Sequence, residues 1–433
     1  MNVTASRALQ PARRLQGEVE VPGDKSISHR ALLLNALAEG AARVSGLGLG
    51  ADVRSTWRCL GALGVLIEPD GPRGAVVHGV GLHGLREPED VLDAGNSGTT
   101  MRLLSGVLAG QPFLSILSGD ASLRRRPMAR VLDPLRAMGA QAWARAGGKL
   151  APLAIHGGSL RGLDYTLPVA SAQLKSALLL AGLYASGPSR LREPAASRDH
   201  TERMLRAQGV ALAVNGLDLT LTPPTAALRP LDLQVPGDFS SAAYWLVAAC
   251  IHPAARVTVR NVGMNPGRTG LLEVLREMGA RIAVANERDS GGEPVADLTA
   301  ESSDLRGVAI GGALIPRLLD EVPVLAVAMA VARGPSRIDD AAELRVKESD
   351  RLRAVAVELS RLGAAVEELP EGLAFAGGSR LRGAAVTSHD DHRLAMALAV
   401  AALVAADATT IGAADSVAIS YPAFWDQLAA LAA

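Results

Sequence analysis

An Ala/Leu-rich helical stretch, often followed by Gly or Pro and an extended Arg/Val segment, recurs six times along this chain of 433 residues. The copies begin near Arg30, Arg102, Lys175, Ala243, Leu325 and Leu394, separated by 72, 73, 68, 82 and 69 residues. A second signature interleaves with the first, at 57–68, 132–144, 203–214, 272–284 and 357–369. Each of these five is an amphipathic helix with Leu at helical spacing, closed by Gly and followed by an alternating strand. Fixed-period self-similarity decides architecture before any single residue does. The pattern predicts six short α/β units, each with two helices and several strands.

A longer duplication lies over the sixfold one. Val21-Pro22-Gly23-Asp24-Lys25-Ser26 returns as Val235-Pro236-Gly237-Asp238-Phe239-Ser240, 214 residues later and again just ahead of an apolar helix. The chain therefore reads as two halves of three units each. Pro-Gly at both places suits turns where the chain passes from one lobe to the other.

Composition narrows the function classes. Forty-four basic residues balance forty-four acidic ones, so no global field draws the chain to nucleic acid or a membrane surface. Aromatic residues, at 3%, are too few for stacking platforms. The longest clean apolar run, Leu394–Ala406, is too short to span a bilayer. The first residues lack the apolar core of a signal peptide. Cys59 and Cys250 fit no metal-binding spacing and read as buried small hydrophobes of a reducing compartment. A cytoplasmic, monomeric protein without metal or cofactor is expected.

Positive charge is carried almost wholly by arginine: only Lys25, Lys149, Lys175 and Lys347 are lysines. Lys is a compact point charge whose pKa shifts on burial, unlike the Arg fork. Lys25, Lys175 and Lys347 fall in polar clusters, whereas Lys149 in Ala-Gly-Gly-Lys-Leu reads as incidental. Gly23-Asp24-Lys25-Ser26-Ile27-Ser28-His29-Arg30 gathers cations and hydroxyls at a helix start, a ready oxyanion or phosphate cradle. Asp93 to Arg102 is a second Gly-rich turn, in which Asn and Thr are expected to cap the helix. Arg124-Arg125-Arg126 precedes an amphipathic helix, so one of the three can point into a site. Ser171-Ala172-Gln173 opens the third apolar helix, and Arg198 lies at another polar helix start. Asp320-Glu321 interrupts an apolar segment, which solvation does not explain. Glu343 to Arg351 alternates charge densely enough for a salt-bridged surface helix. Asp390-Asp391-His392-Arg393 heads the last apolar helix. The sum suits a substrate with several anionic groups, acid–base catalysis and a cleft between lobes.

The stretches VPGDKSISHRALLL, GNSGTTMR, GDASLRRRPM, LPVASAQLKSALLLAGL, LLDEVPVLAVA, ELRVKESDRL and DDHRLAMA resemble, in order, those of the 5-enolpyruvylshikimate-3-phosphate synthase family. The resemblance runs from about residue 15 to 425. It implies the enolpyruvyl transferase fold, an inside-out α/β barrel of two lobes, each with three βαβαββ units. One lobe would span 22–235 and the other 1–21 plus 236–433. It also implies transfer of the carboxyvinyl group of phosphoenolpyruvate to the 5-hydroxyl of shikimate 3-phosphate, in the shikimate pathway to chorismate and aromatic amino acids.

Carried over by motif, Lys25, Ser26, Arg30, Ser171, Ala172, Gln173, Arg198, Asp320 and Lys347 would contact shikimate 3-phosphate. Lys25, Asn96, Gly98, Arg126, Gln173, Arg351 and Arg393 would hold phosphoenolpyruvate. Asp320, Glu348 and Lys25 would be catalytic: Asp320 takes the proton of the attacking hydroxyl, and Glu348 serves the methylene carbon. Three positions depart from part of the family. Ala418-Ile419-Ser420 precedes Tyr421-Pro422 where some members carry a lysine, Ala172 replaces a serine, and Glu343 stands where some have Asn. Two other readings share the anion turns. One is enolpyruvyl transfer to UDP-N-acetylglucosamine, disfavoured by the Ser-His-Arg continuation after Lys25. The other is a non-catalytic two-lobed phosphometabolite-binding protein, which would not need Asp320 and Glu348.

Overall fold

The computed structural model describes residues 6–432. Its contacts divide the chain into two compact units. The first is Gly23–Pro236 with Asp289–Glu293; the second is the described residues up to Pro22, Gly237–Arg288 and the described residues from Pro294 on. Each unit has its own apolar core. The chain changes unit after Pro22 and after Pro236, inside the two Val-Pro-Gly-Asp copies.

Six sheets occur among the described residues, three per unit. In the first unit, Leu92–Asp93 pairs parallel with Leu114–Ser118. The hairpin Gln141–Ala144/Leu150–His156 then adds antiparallel through its second strand. The helix Gly98–Leu108 fills the first connection and Ala129–Met138 the second. This β-α-β-α-β-β order repeats with Asp164–Thr166, Ser189–Arg192 and Leu212–Asn215/Asp218–Leu221. In the second unit it recurs with Ala309–Ile310, Ser336–Ile338 and Val366–Leu369/Gly372–Phe375.

The repeats that open each unit borrow their leading strand from far along the chain. Leu15–Glu20, which runs into the first unit, pairs instead with Ala255–Gly263 in the second. Leu233–Gln234, which runs into the second unit, pairs with the strand Glu39–Ser45 in the first. The sixth repeat has three strands: Ala385–Thr387, Thr409–Gly412 and, antiparallel to the latter, Arg7–Leu9. Its second helix is Phe424–Leu431.

The two helix types differ as their sequences require. The second helices are amphipathic, and all five copies of that signature end at a glycine in the left-handed region: Gly64, Gly139, Gly209, Gly279 and Gly363. Only glycine takes that conformation without a Cβ penalty. The first helices are buried almost throughout, their polar residues lying mainly toward the N-terminal end; Val322–Val331 is apolar on every side, and a helix with no polar face must be enclosed. Five of the twelve aromatics, Tyr244, Trp245, Tyr421, Phe424 and Trp425, gather around one of these first helices, Phe239–Ile251. Trp245 stacks on Phe424 at 5.0 Å and donates to the Tyr421 hydroxyl at 2.9 Å. Among the described residues no helix is long and apolar enough to cross a membrane.

Candidate active site

In the first unit three helix N-termini present the predicted binding residues. Asp24 caps the helix Lys25–Ala36, accepting from the Ile27 amide at 2.9 Å. The Pro-Gly before it is needed for close approach: a Cβ on Gly23 would lie 1.8 Å from the Gly46 carbonyl oxygen. Lys25, in the first turn, donates to Asp52 at 3.1 Å. Arg30, one turn on, is buried and points inward, with Nε to Thr201 Oγ1 at 2.6 Å and Nη2 to Ser176 Oγ at 2.7 Å. Burial brings its pKa down to about 10, so it stays charged at neutral pH.

The second helix, Gly98–Leu108, is capped by Ser97, which accepts from the Thr100 amide at 3.1 Å. The expectation that Asn and Thr would cap it is corrected. Asn96 is turned the other way, donating to Asp120 at 2.6 Å and accepting from Arg126 Nη2 at 2.5 Å. Of the Arg124–Arg126 run, Arg126 is therefore the one aimed at this turn, while Arg124 donates to the Gly119 carbonyl. A Cβ on Gly98 would meet Arg102 Nη1 at 3.0 Å and Arg126 Nη1 at 3.3 Å; glycine there lets two guanidiniums lie over the helix start. Gln173, in the first turn of the third helix Ala172–Gly182, donates to Thr99 at 2.9 Å and accepts from Arg102. Ser171 caps that helix.

A buried hydroxyl relay ties the first helix to the second. His29 Nδ1, Thr56 Oγ1 and Thr100 Oγ1 follow one another at 2.7 Å steps, and Thr100 donates on to Ser97 Oγ at 2.7 Å. Lys25, Ser26, Arg30, Asn96, Gly98, Arg126, Ser171, Ala172 and Gln173 thus lie at three converging helix starts, where free N–H groups and the helix dipole favour an anion. Arg198 is half-buried ahead of the helix His200–Ala207, close enough that its charge opposes that of Arg30.

The second unit gathers charge of both signs. Arg351 is 1% exposed and is held by Asp391, from Nε at 2.8 Å and from Nη2 at 3.3 Å. Its Nη2 also donates to Glu348 at 2.6 Å. Burial alone would lower its pKa, but Asp391 and Glu348 outweigh it and hold the guanidinium firmly charged. Asp391 caps the last apolar helix, His392–Ala402, accepting from the Arg393 amide at 2.9 Å. Despite its own burial, its carboxyl stays below the usual range because Arg351 faces it.

Asp320 sits among three guanidiniums, with Arg351 at 3.5 Å and Arg268 and Arg393 each at 3.7 Å. Lys347 is half-buried, and desolvation lowers its pKa against the opposing pull of Asp320, Glu343 and Glu348. A lysine so placed can gain and lose a proton nearer neutrality than usual. The reading of Glu343–Arg351 as one salt-bridged helix is corrected. A short 3-10 turn, Ala342–Val346, comes first, and the helix Arg351–Arg361 starts only after the Asp350 cap. The break frees Lys347 and Glu348 from helical geometry and lets Arg351 turn inward.

Sequence reasoning missed Arg268. It is 3% exposed and donates to Asp238 Oδ1 at 2.8 Å and Ser240 Oγ at 2.7 Å, while Ser240 in turn donates to Glu321. The signal was a lone Arg in Asn-Pro-Gly-Arg-Thr-Gly, just ahead of the amphipathic helix Gly270–Glu277. Tyr421, beside the position where part of the family carries lysine, is buried in the aromatic cluster.

The family model for EPSP synthase (3-phosphoshikimate 1-carboxyvinyltransferase) matches residues 9–428. This chain belongs to that family. A 3-phosphoshikimate 1-carboxyvinyltransferase of Gloeobacter violaceus is 58% identical over 424 residues, covering 98% of either chain. One of Herpetosiphon aurantiacus is 56% identical over 425 residues, again with 98% of each covered. The solved EPSP synthase of Acinetobacter baumannii superposes with a TM-score of 0.88 at 42% identity, covering 99% of this chain and 98% of that one. The two-lobed α/β architecture of six repeats is thereby that of its family.

Proposed function

We infer that this chain transfers the carboxyvinyl group of phosphoenolpyruvate to the 5-hydroxyl of shikimate 3-phosphate, releasing phosphate. The observation that carries the reading is the division of labour between the clusters. One offers cations and helix N-termini and suits anion binding. The other surrounds carboxylates with arginines and suits proton transfer beside an anion.

Arg30, Arg198, Ser26 and the Ser171-Ala172-Gln173 turn would hold shikimate 3-phosphate, joined by Lys25, Lys347 and Asp320. Lys25, Asn96, Gly98, Arg126, Gln173, Arg351 and Arg393 would hold phosphoenolpyruvate. In the addition step Asp320 takes the proton of the 5-hydroxyl as its oxygen bonds to C2, while the C3 methylene gains a proton from Glu348. In the elimination step the methyl carbon returns a proton to Glu348, the C2–O bond to phosphate breaks, and the departing phosphate carries off the proton that Asp320 had taken. Arg351 and Arg393 would balance the charge of the departing phosphate, which preorganised donors stabilise without reorganising.

The test is release of phosphate from phosphoenolpyruvate with shikimate 3-phosphate, and separately with UDP-N-acetylglucosamine. Release with the first alone is expected. Release only with the second, or with neither, would overturn the inference.

A further inference from the structure

Lys175 has no role in the function above, yet it is among the most buried side chains of the molecule, 1% exposed. Its ammonium reaches Glu202 Oε1 at 2.6 Å, Glu193 Oε2 at 2.8 Å and the Ser197 carbonyl at 3.3 Å. Three donors meet three acceptors, which saturates the group. Glu193 follows the strand Ser189–Arg192 and Glu202 lies in the helix His200–Ala207, both buried. Glu193 also accepts from the Ser197 hydroxyl. Ser197 is thus gripped twice, through its carbonyl by Lys175 and through its side chain by Glu193, and the next residue is Arg198.

The adjoining pair of residues holds the other phosphate-directed arginine. Ser176 and Thr201 share a hydrogen bond at 2.7 Å and both accept from Arg30. Residues 175–176 on one helix and 201–202 on another therefore fix both Arg30 and the Arg198 segment. Stability is a poor reason for such a triad. Replacing buried ions by well-packed apolar side chains is often neutral or favourable, and burial pushes the Glu202 carboxyl pKa up. Geometry is the better reason.

We propose that Lys175, Glu193 and Glu202 are positioning residues that hold the Ser197-Arg198 segment in register for the phosphate of shikimate 3-phosphate. The proposal rests on the assignment of Arg198 to that phosphate. Its expected signature is selective: the affinity gained from the phosphate falls, while recognition of the ring and of phosphoenolpyruvate does not.

The experiment compares the full-length protein with Lys175→Met, Ser197→Ala and Arg198→Ala. Dissociation constants for shikimate 3-phosphate and for shikimate are measured by calorimetry, with KM for each substrate. For Lys175→Met the ratio, the dissociation constant for shikimate divided by that for shikimate 3-phosphate, should shrink by roughly tenfold or more, the scale of a lost charge-assisted contact. KM for phosphoenolpyruvate should stay within about twofold, far below a lost contact of that kind. Ser197→Ala, which leaves the triad charges in place, should shift the ratio in the same direction by less, and decides the matter if Lys175→Met does not fold. A lower melting temperature with an unchanged ratio in both variants would overturn the proposal. If Arg198→Ala also leaves the ratio unchanged, the assignment of Arg198 has failed; if it collapses the ratio while the others do not, the positioning role alone has failed.

Discussion

Asp391→Asn tests whether the carboxylate beneath Arg351 does more than cap a helix. Asp391 receives four donors: Arg351 Nε and Nη2, the Ser349 hydroxyl at 3.1 Å and the Arg393 amide. Asparagine keeps the shape and an oxygen for the Arg393 amide, so most of the cap survives. What disappears is a buried charge against a guanidinium of which 1% is exposed. Removing one member of a buried ion pair costs about 3–5 kcal/mol. Arg351 retains Glu348 and Asp320, so the lower end, about 3 kcal/mol, applies. Part of it appears as lost stability and part as misplacement of Arg351, drawn toward the two remaining carboxylates. If misplacement costs one charged hydrogen bond to phosphoenolpyruvate, about 1.5–3 kcal/mol, its KM rises roughly 10- to 150-fold. The assay is steady-state kinetics with phosphoenolpyruvate varied at saturating shikimate 3-phosphate, beside a thermal melt. A lower melting temperature with KM and kcat both within about twofold of the parent, well short of one charged hydrogen bond, would refute the reasoning.

Two further outcomes follow from the same clusters. Asp320→Asn should lower kcat by about 10²- to 10⁴-fold, the usual worth of a general base, without raising KM for phosphoenolpyruvate, because the charge removed repels that substrate; a near-parent kcat would strip Asp320 of its role. His29 is held neutral by burial, with its pKa down at about 3, so the unfolded chain binds the extra proton below about pH 6.5. The stability it contributes is complete above that pH and declines as pH falls toward 3, by about 1.4 kcal/mol per pH unit. His29→Gln should flatten the melting temperature between pH 6.5 and 4.5, and parallel curves for parent and variant would contradict the assignment.

The repeat and its glycine stops were legible in the sequence because five of the second helices end at a left-handed glycine and the first helices carry long Ala/Leu-rich runs. The exchanged leading strands were not, since nothing in Leu15–Glu20 says that its partner lies beyond residue 250. Motif residues with a local cause were also visible: Ser171 as a cap, Lys25 in a first turn. Arg268 and the Asp391–Arg351 pair depend on side chains meeting from distant segments, which spacing along the chain does not encode. Lys175 was conspicuous by scarcity, but its partners Glu193 and Glu202 follow only from where a strand end and a helix face come together.

The exchanged strands set an order of events during synthesis. The segment Leu15–Glu20 leaves the ribosome some 240 residues ahead of its partner Ala255–Gly263, a wait of roughly 12–48 s at about 5–20 residues per second. The stretch from Gly23 to Pro236, by contrast, carries all three of its own sheets and can close while the rest is still being made. An N-terminal strand must therefore be kept from pairing elsewhere until the second core exists to receive it. The charged residues Glu18 and Glu20, exposed along it, are the kind of edge protection that such a wait demands.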